Sequence, residues 1–328
     1  MKPRGSHDGL GWVVGVVGVL ISILLLAVFP TRPVASAGRV LPYFERLVGI
    51  LVFVFSLRLL LPESVIRRMR QRIRSLGLFR REDRIDYGWS TAWMNVFWVA
   101  GAALLAFSAG IYCEYPNRRG LAFVLFLLSL NAFAANVAWR WAKKHLTLPW
   151  VDLFSSDRDR VLDVGCGSGR TTLAISKVLK NGSITALDRF DSSCFEEEAT
   201  VALERNLKIA GISDRVRIVK GDVTNLEFPE GSFDSAVSTY AMDHLDGKSA
   251  LAGMKEVHRV LKPGGRFLLI VMVPGYVTFA MDNVLCLFLV SRRGWRAKAS
   301  QAGFRLADEG EIDGTAYFVF EKQKQVET

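Results

Sequence analysis

Asp163, Gly165, Gly167 and Gly169 follow one another closely at the end of the short, mostly apolar run 161–164, and a helical stretch begins at 172. A strand that ends in alternating glycines and enters a helix brings backbone N–H groups and a helix N-terminus against a ligand. Nothing larger than hydrogen projects from the glycines to prevent it. Asp188 stands about twenty residues further on, at the end of a second apolar run. A carboxylate at that spacing can accept hydrogen bonds from both hydroxyls of a ribose. A third acid, Asp222, follows a third apolar run in Gly221-Asp222-Val223. Asp243 and His244 follow a fourth. They are the candidate general bases, and histidine has the near-neutral pKa suited to proton transfer. A helix-start residue without chemistry is the competing reading of His244. His7, His145 and His258 are assigned no role.

These residues need elements to bring them together. After Pro149, short apolar strands alternate with helical stretches, the pattern of a parallel sheet covered by helices on both faces. Strands are expected at 160–164, 183–187, 216–219, 233–238 and 265–272, with further ones near 304–308 and 315–321. Helices are expected near 170–180, 194–210 and 248–261, with a later one beyond. Ligands of such sheets lie beyond the carboxyl ends of the strands, and each acid above follows a strand.

The run from Asp163 through Gly169 resembles motif I of the class I S-adenosylmethionine-dependent methyltransferases. Four further features follow in that family's order: Asp188, Gly221-Asp222, the phrase FPEGSFD (228–234) before strand four, and LKPGG (261–265) before strand five. An NAD-dependent dehydrogenase shares the first two features but is not expected to carry LKPGG or the acid after strand three. The resemblance covers residues 155–328. It implies a Rossmann-like α/β domain with a seven-stranded, mostly parallel sheet, and S-adenosylmethionine as cofactor. By position, Gly165, Gly167 and Gly169 admit the methionine part of the cofactor. Asp163 organises the turn and faces the cofactor's ammonium indirectly or through water. Asp188 binds ribose, Asp222 and Val223 hold adenine, and Ser238, Thr239 or Tyr240 lines the sulfonium end.

Charge is unevenly placed. Residues 1–150 hold 19 Lys+Arg against 7 Asp+Glu, and the remainder 23 against 25. The whole positive excess lies beside apolar segments, which points to a membrane surface. A nucleic-acid partner would want it on the globular half. Cysteines at 113, 166, 194 and 286 show neither paired nor metal-ligand spacing, so no metal and no disulfide framework is expected.

Apolar runs at 10–29, 42–61, 93–112 and 121–139 are each long enough to span a bilayer. A signal peptide competes for the first, because Ala35-Ser36-Ala37 resembles a cleavage site, but the run is long for one. Asn131 and Asn136 fall inside the fourth, where bonding to neighbouring helices is the simplest role. Eight arginines between 67 and 84, and Arg140, Lys143 and Lys144, flank one side of these spans. The positive-inside rule then places both termini and the catalytic half in the cytoplasm. Within 63–84, Val65, Ile66, Met69, Ile73 and Leu76 fall at helical spacing among the arginines, as in a helix lying among lipid headgroups.

The expected organisation is a four-helix transmembrane domain at 1–145 and a methyltransferase domain at 146–328, in an integral protein of the plasma membrane. Four spans exceed what a tether requires. The expected acceptor is therefore lipophilic (a lipid, quinone, isoprenoid or hydrophobic thiol), with membrane lipids as partners. The alternative is a membrane-anchored, cofactor-binding sensor or scaffold without turnover. Residues 274–290 read either as an interfacial lid or as a buried helix. No sequence pattern sets the oligomeric state.

Overall fold

The computed structural model describes residues 94–144, 148–149, 152–191 and 199–324, with 19, 48–50, 52, 53, 65, 85 and 87 upstream; the side chains at 94–96, 141–144 and 283–285 are excepted. Most of the expected spans at 10–29 and 42–61, most of the amphipathic stretch 63–84, and Cys194 lie outside the described residues. The chain divides into two compact units, residues 1–80 with 90–140, and residues 81–89 with 141–328.

In the first unit, helix α1 (Met94–Glu114) and helix α2 (Arg119–Lys144) are joined by a 3-10 turn at Pro116–Arg118. The stretches Phe97–Glu114 and Pro116–Arg140 are each long and apolar enough to cross a bilayer. Only 33% and 28% of them is buried within the protein, whereas a core helix is mostly buried. Along α2, Phe123, Val124, Leu127, Leu128 and Val137 are all exposed. The helices are tied by the Ser108 hydroxyl, which donates to the Ala122 carbonyl at 2.7 Å. Trp98 and Phe133 meet edge to face at 5.7 Å. Residues 48–50, 52 and 53 are helical, and Val48 and Val52 bury with Ala103 and Ala106. Asn136 is buried and accepts from Arg140 Nε, one turn along its own helix, at 3.0 Å. Of the four expected spans, two fall on helices of membrane-crossing length among the described residues.

The second unit is a seven-stranded sheet in the order β3-β2-β1-β4-β5-β7-β6. Its strands are β1 (Arg160–Val164), β2 (Ser183–Asp188), β3 (Val216–Lys220), β4 (Phe233–Thr239), β5 (Leu261–Val271), β6 (Phe304–Ile312) and β7 (Thr315–Lys322). The first five pair in parallel, while β7 runs antiparallel to both β5 and β6. Among the described residues five helices accompany them: α3 (Arg170–Ser176), α4 (Ala199–Ala210), α5 (Gly247–Val260), α6 (Tyr276–Asp282) and α7 (Arg292–Gln301).

Successive strand residues point to opposite faces, and both faces are covered. Phe267, Leu269 and Val271 of β5 enter the core shared with Trp295 of α7 and Val257 of α5. Leu268 and Ile270 enter the other core, with Leu173 of α3 and Leu203 and Leu207 of α4. This is why the central strands read as continuous apolar runs.

The LKPGG phrase, expected before strand five, lies inside β5, which starts at Leu261 rather than 265. Pairing with β4 slips between Phe233 and Ser235 and resumes at Arg266. Gly264, at φ 81°, supplies the left-handed residue this bulge requires. Asp313 (φ 51°) and Gly314 (φ 77°) join the paired residues Ile312 and Thr315. A two-residue hairpin loop with both φ positive is type I′, the form that Asp-Gly favours. Because β7 opposes β5, pairing Val271 with Ala316, this hairpin turn comes to the carboxyl edge of the parallel strands.

Candidate functional site

At the end of β1 the chain turns through Gly165, Gly167 and Gly169, with φ of 74°, 52° and 90°. All three are left-handed, a region open to glycine at no steric cost. Close approach also matters. A Cβ on Gly165 would stand 2.2 Å from that of Ala241, in the loop after β4, and one on Gly169 would stand 2.5 Å from Leu203. The turn hangs on β2, because Gly165 N–H and Cys166 N–H both donate to the Leu187 carbonyl, at 2.8 and 3.1 Å.

Asp163 is fully buried within β1. Its Oδ2 accepts from the Thr172 hydroxyl at 2.6 Å, tying the strand to α3. Its Oδ1 has no hydrogen-bond partner. Burial pushes this carboxyl up to about 7, against the Thr172 hydrogen bond.

Asp188 ends β2. One oxygen accepts from Gly167 N–H at 2.8 Å and the other from Phe190 N–H at 2.8 Å. Burial raises its pKa and those backbone bonds oppose the rise. Each oxygen retains a lone pair for a further donor. Asp222 follows β3. Its Oδ1 takes the Thr224 N–H and hydroxyl at 2.8 and 2.7 Å, while Oδ2 lies 3.7 Å from Arg189. Burial pushes the Asp222 carboxyl up, but the Thr224 bonds and Arg189 outweigh it and leave it below its ordinary value. Val223 is buried in the core, packed over Gly253. Asp188 and Asp222 are therefore brought to one edge with the glycine turn, whereas Val223 presents little surface there.

The loop after β4 completes this edge. Thr239 is buried and its hydroxyl meets that of Thr171 at 2.5 Å. Tyr240 adopts φ 53°, rare for a residue with a side chain. Its phenol reaches Thr315 of the hairpin at 3.1 Å, and the Arg170 guanidinium lies 5.5 Å from its ring centre. Ser238 is fully buried. Asp243 and His244 sit in the 3-10 turn Met242–His244. The Asp243 Oδ2 accepts from Met272 N–H at 3.2 Å, which fastens the end of β5, while its buried Oδ1 has no partner. His244 is exposed. Among the described residues no three His, Cys, Asp or Glu side chains gather where they could hold a metal.

Residues 161–265 match the model of a protein family described as a methyltransferase domain. They form a methyltransferase domain. Over 108 residues the chain is 37% identical to a sterol 24-C-methyltransferase of Neurospora crassa, covering 33% of this chain and 26% of that protein. It is 34% identical over 109 residues to a demethylmenaquinone methyltransferase of Staphylococcus epidermidis, covering 32% of this chain and 40% of that one. It is 34% identical over 131 residues to the chloroplastic 2-phytyl-1,4-beta-naphthoquinone methyltransferase of Arabidopsis thaliana, at 40% and 43%. The chain thus spans between about a quarter and two fifths of these relatives' length. A SAM-dependent methyltransferase structure from Methanosarcina mazei overlays with a TM-score of 0.46 at 20% identity, over 55% of this chain and 99% of that one.

The methyltransferase domain also uses residues that sequence reading missed. The Ser168 hydroxyl donates to the backbone carbonyl of Tyr87 at 2.6 Å, across 81 positions of sequence. The Tyr87 ring packs against the core that holds α3 and α4. Asn206 of α4, fully buried, donates to the Ser168 carbonyl at 3.0 Å. Arg170 lies between Tyr240 and Tyr87, and burial lowers its pKa against the pull of both phenols. A polar Asn on the apolar face of an amphipathic helix could have signalled Asn206. Tyr87 carried no signal, because it lies between two expected spans.

Proposed function

We propose that the chain is an S-adenosylmethionine-dependent methyltransferase held in a membrane and acting on a lipophilic small-molecule acceptor. The observation that carries the reading is the left-handed glycine turn flanked by Asp188 and Asp222 at the carboxyl edge of the sheet. The fit to the cofactor rests on features of that edge. The turn would lose its shape to any Cβ at Gly165. Asp188 keeps lone pairs for ribose hydroxyls, and Asp222 Oδ2, with Arg189 no nearer than 3.7 Å, can take an amino donor. Asp163 offers a buried, unpartnered oxygen beside the turn.

When bound, S-adenosylmethionine supplies a methyl group already activated by its sulfonium. The protein's part is then mainly alignment of the acceptor atom with that methyl group, an entropic contribution. The glycine turn, Asp188 and Asp222 fix one partner. Thr239 and Tyr240, held by Thr171 and Thr315, form the wall where the acceptor meets it. An acidic acceptor requires a base, and His244 and Asp243 are the candidates in this loop.

Relatives that match this domain are named for sterols and naphthoquinones, which supports a lipophilic acceptor. Helices α1 and α2, with their exposed apolar faces, support residence in a membrane. The basic flanks of the expected spans support a cytoplasmic methyltransferase domain. The test is to incubate the purified full chain with methyl-labelled S-adenosylmethionine and membranes, then extract the lipids. Label should enter a lipid fraction. Asp188→Ala, losing charge-assisted bonds to ribose, should weaken cofactor binding by about ten- to a hundredfold. Cofactor binding by the wild type with no label in any fraction would favour the sensor reading.

A further inference from the structure

The stretch after β5 presents an apolar surface that no neighbour among the described residues covers. Helix α6 (Tyr276–Asp282) continues into a 3-10 segment, Asn283–Phe288. One side is anchored. Thr278 and Met281 are buried, the Thr278 hydroxyl donates to the Val273 carbonyl at 2.7 Å, and Cys286 is buried. The other side carries Tyr276 at 98% exposure, Phe279 at 48%, Leu287 at 69% and Phe288 at 85%. A buried helix, one of the two expectations for this stretch, is therefore not what the protein forms.

The position of this surface gives it meaning. It starts five residues past the end of β5, at the carboxyl edge where Asp188 and Tyr240 lie. Val277 packs on the Asp313-Gly314 turn, where a Cβ on Gly314 would stand 2.4 Å from it. The next residue of that hairpin, Thr315, holds the Tyr240 phenol. The apolar surface and the acceptor side of the site thus share one framework.

We infer that Tyr276, Phe279, Leu287 and Phe288 insert into the boundary between lipid headgroups and acyl chains, so that the acceptor reaches the site from the bilayer. This rests on the membrane reading above. Aromatic and aliphatic side chains on one side of a short helix, with cations beside them, fit an anionic bilayer surface. Arg293 is exposed beside this stretch, and Arg292 and Arg296 follow on the same helix, paired to Glu311 and Glu309. A few side chains also fall well short of the roughly 20–30 residues a side of a standard protein interface. At most about 55 Å of chain separates Lys144, the end of α2, from Arg160, the start of β1. A bilayer that holds α2 is therefore within reach of the domain.

The test uses the full chain in nanodiscs of phosphatidylethanolamine and phosphatidylglycerol, with p-benzoylphenylalanine placed singly at 276, 288 or 178. Val178 is the control, because it is 65% exposed and follows α3 towards the opposite edge. Irradiation should attach phospholipid at 276 and 288 at least tenfold more than at 178. Equal labelling at the three positions, or chain-to-chain products at 276 and 288, overturns the inference; the second result makes the surface a contact between copies. The double variant Phe279→Ser, Phe288→Ser should keep cofactor affinity within twofold and lose methyl transfer to the lipid fraction. Full transfer by that variant also overturns it. Crosslinking needs no turnover, so this result stands apart from the activity assay, whose failure would fall on the methyltransferase reading instead.

Discussion

At the scale of single residues, the carboxylates of this site differ by environment more than by type. Asp222 is partly solvated, bonded to Thr224 and near Arg189, and lies below its ordinary range. Asp163 is sealed in β1 with one oxygen unpartnered, and burial lifts it to about 7. The consequence for stability has a definite sign. A group whose folded pKa exceeds its unfolded value contributes stability that is complete below the unfolded value, near 4, and lost as pH rises through 7. Asp163→Asn cannot ionise. The thermal midpoint of the variant should therefore gain on wild type between pH 5 and pH 8. A difference that stays constant over that range would show that Asp163 does not titrate there. The hydroxyl of Thr172 can still be accepted by the amide oxygen, so the comparison isolates charge.

At the scale of elements, the glycine turn joins two strands' loops as well as β1 to α3. Gly165 is left-handed and would place a Cβ 2.2 Å from that of Ala241. Gly211 is also left-handed, at φ 68°, but a Cβ there meets nothing within 4 Å. Gly165→Ala should thus cost strain and overpacking together, about 3 kcal/mol, against about 1 kcal/mol for Gly211→Ala. Thermal unfolding of the two variants checks the difference, and equal shifts would mean that the loop after β4 yields freely. The glycines, Asp188, Asp222 and the order of strands were legible in sequence because each is a local pattern tied to a strand end. The bulge inside β5 was not. Lys262-Pro263-Gly264-Gly265 reads as a turn, and only pairing with β4 on either side of it makes it part of a strand.

At the scale of the whole molecule, the methyltransferase unit takes in residues 81–89, a piece of chain that sequence reading assigns to the membrane half. Tyr87 closes over Ser168 in the glycine turn and faces Arg170. A fragment starting at 146 lacks that contact. It should bind S-adenosylmethionine several-fold more weakly than the full chain, and the full chain with Tyr87→Ala should fall between the two. Equal affinities by calorimetry would remove the 81–89 stretch from any part in the site.

The sequence by itself determined the kind of domain, the edge that carries the candidate site and most of the polar groups there. Strand periodicity, left-handed glycines and acids at strand ends are all consequences of a few neighbouring residues. Only the tertiary structure decided what lies across from them. Tyr87 reaches Ser168 over 81 positions, Val223 turns into the core, and Tyr276 and Phe288 remain uncovered while Thr278 and Met281 are buried. Such outcomes depend on which surfaces meet after folding, and contact between distant segments leaves no periodic trace in either one.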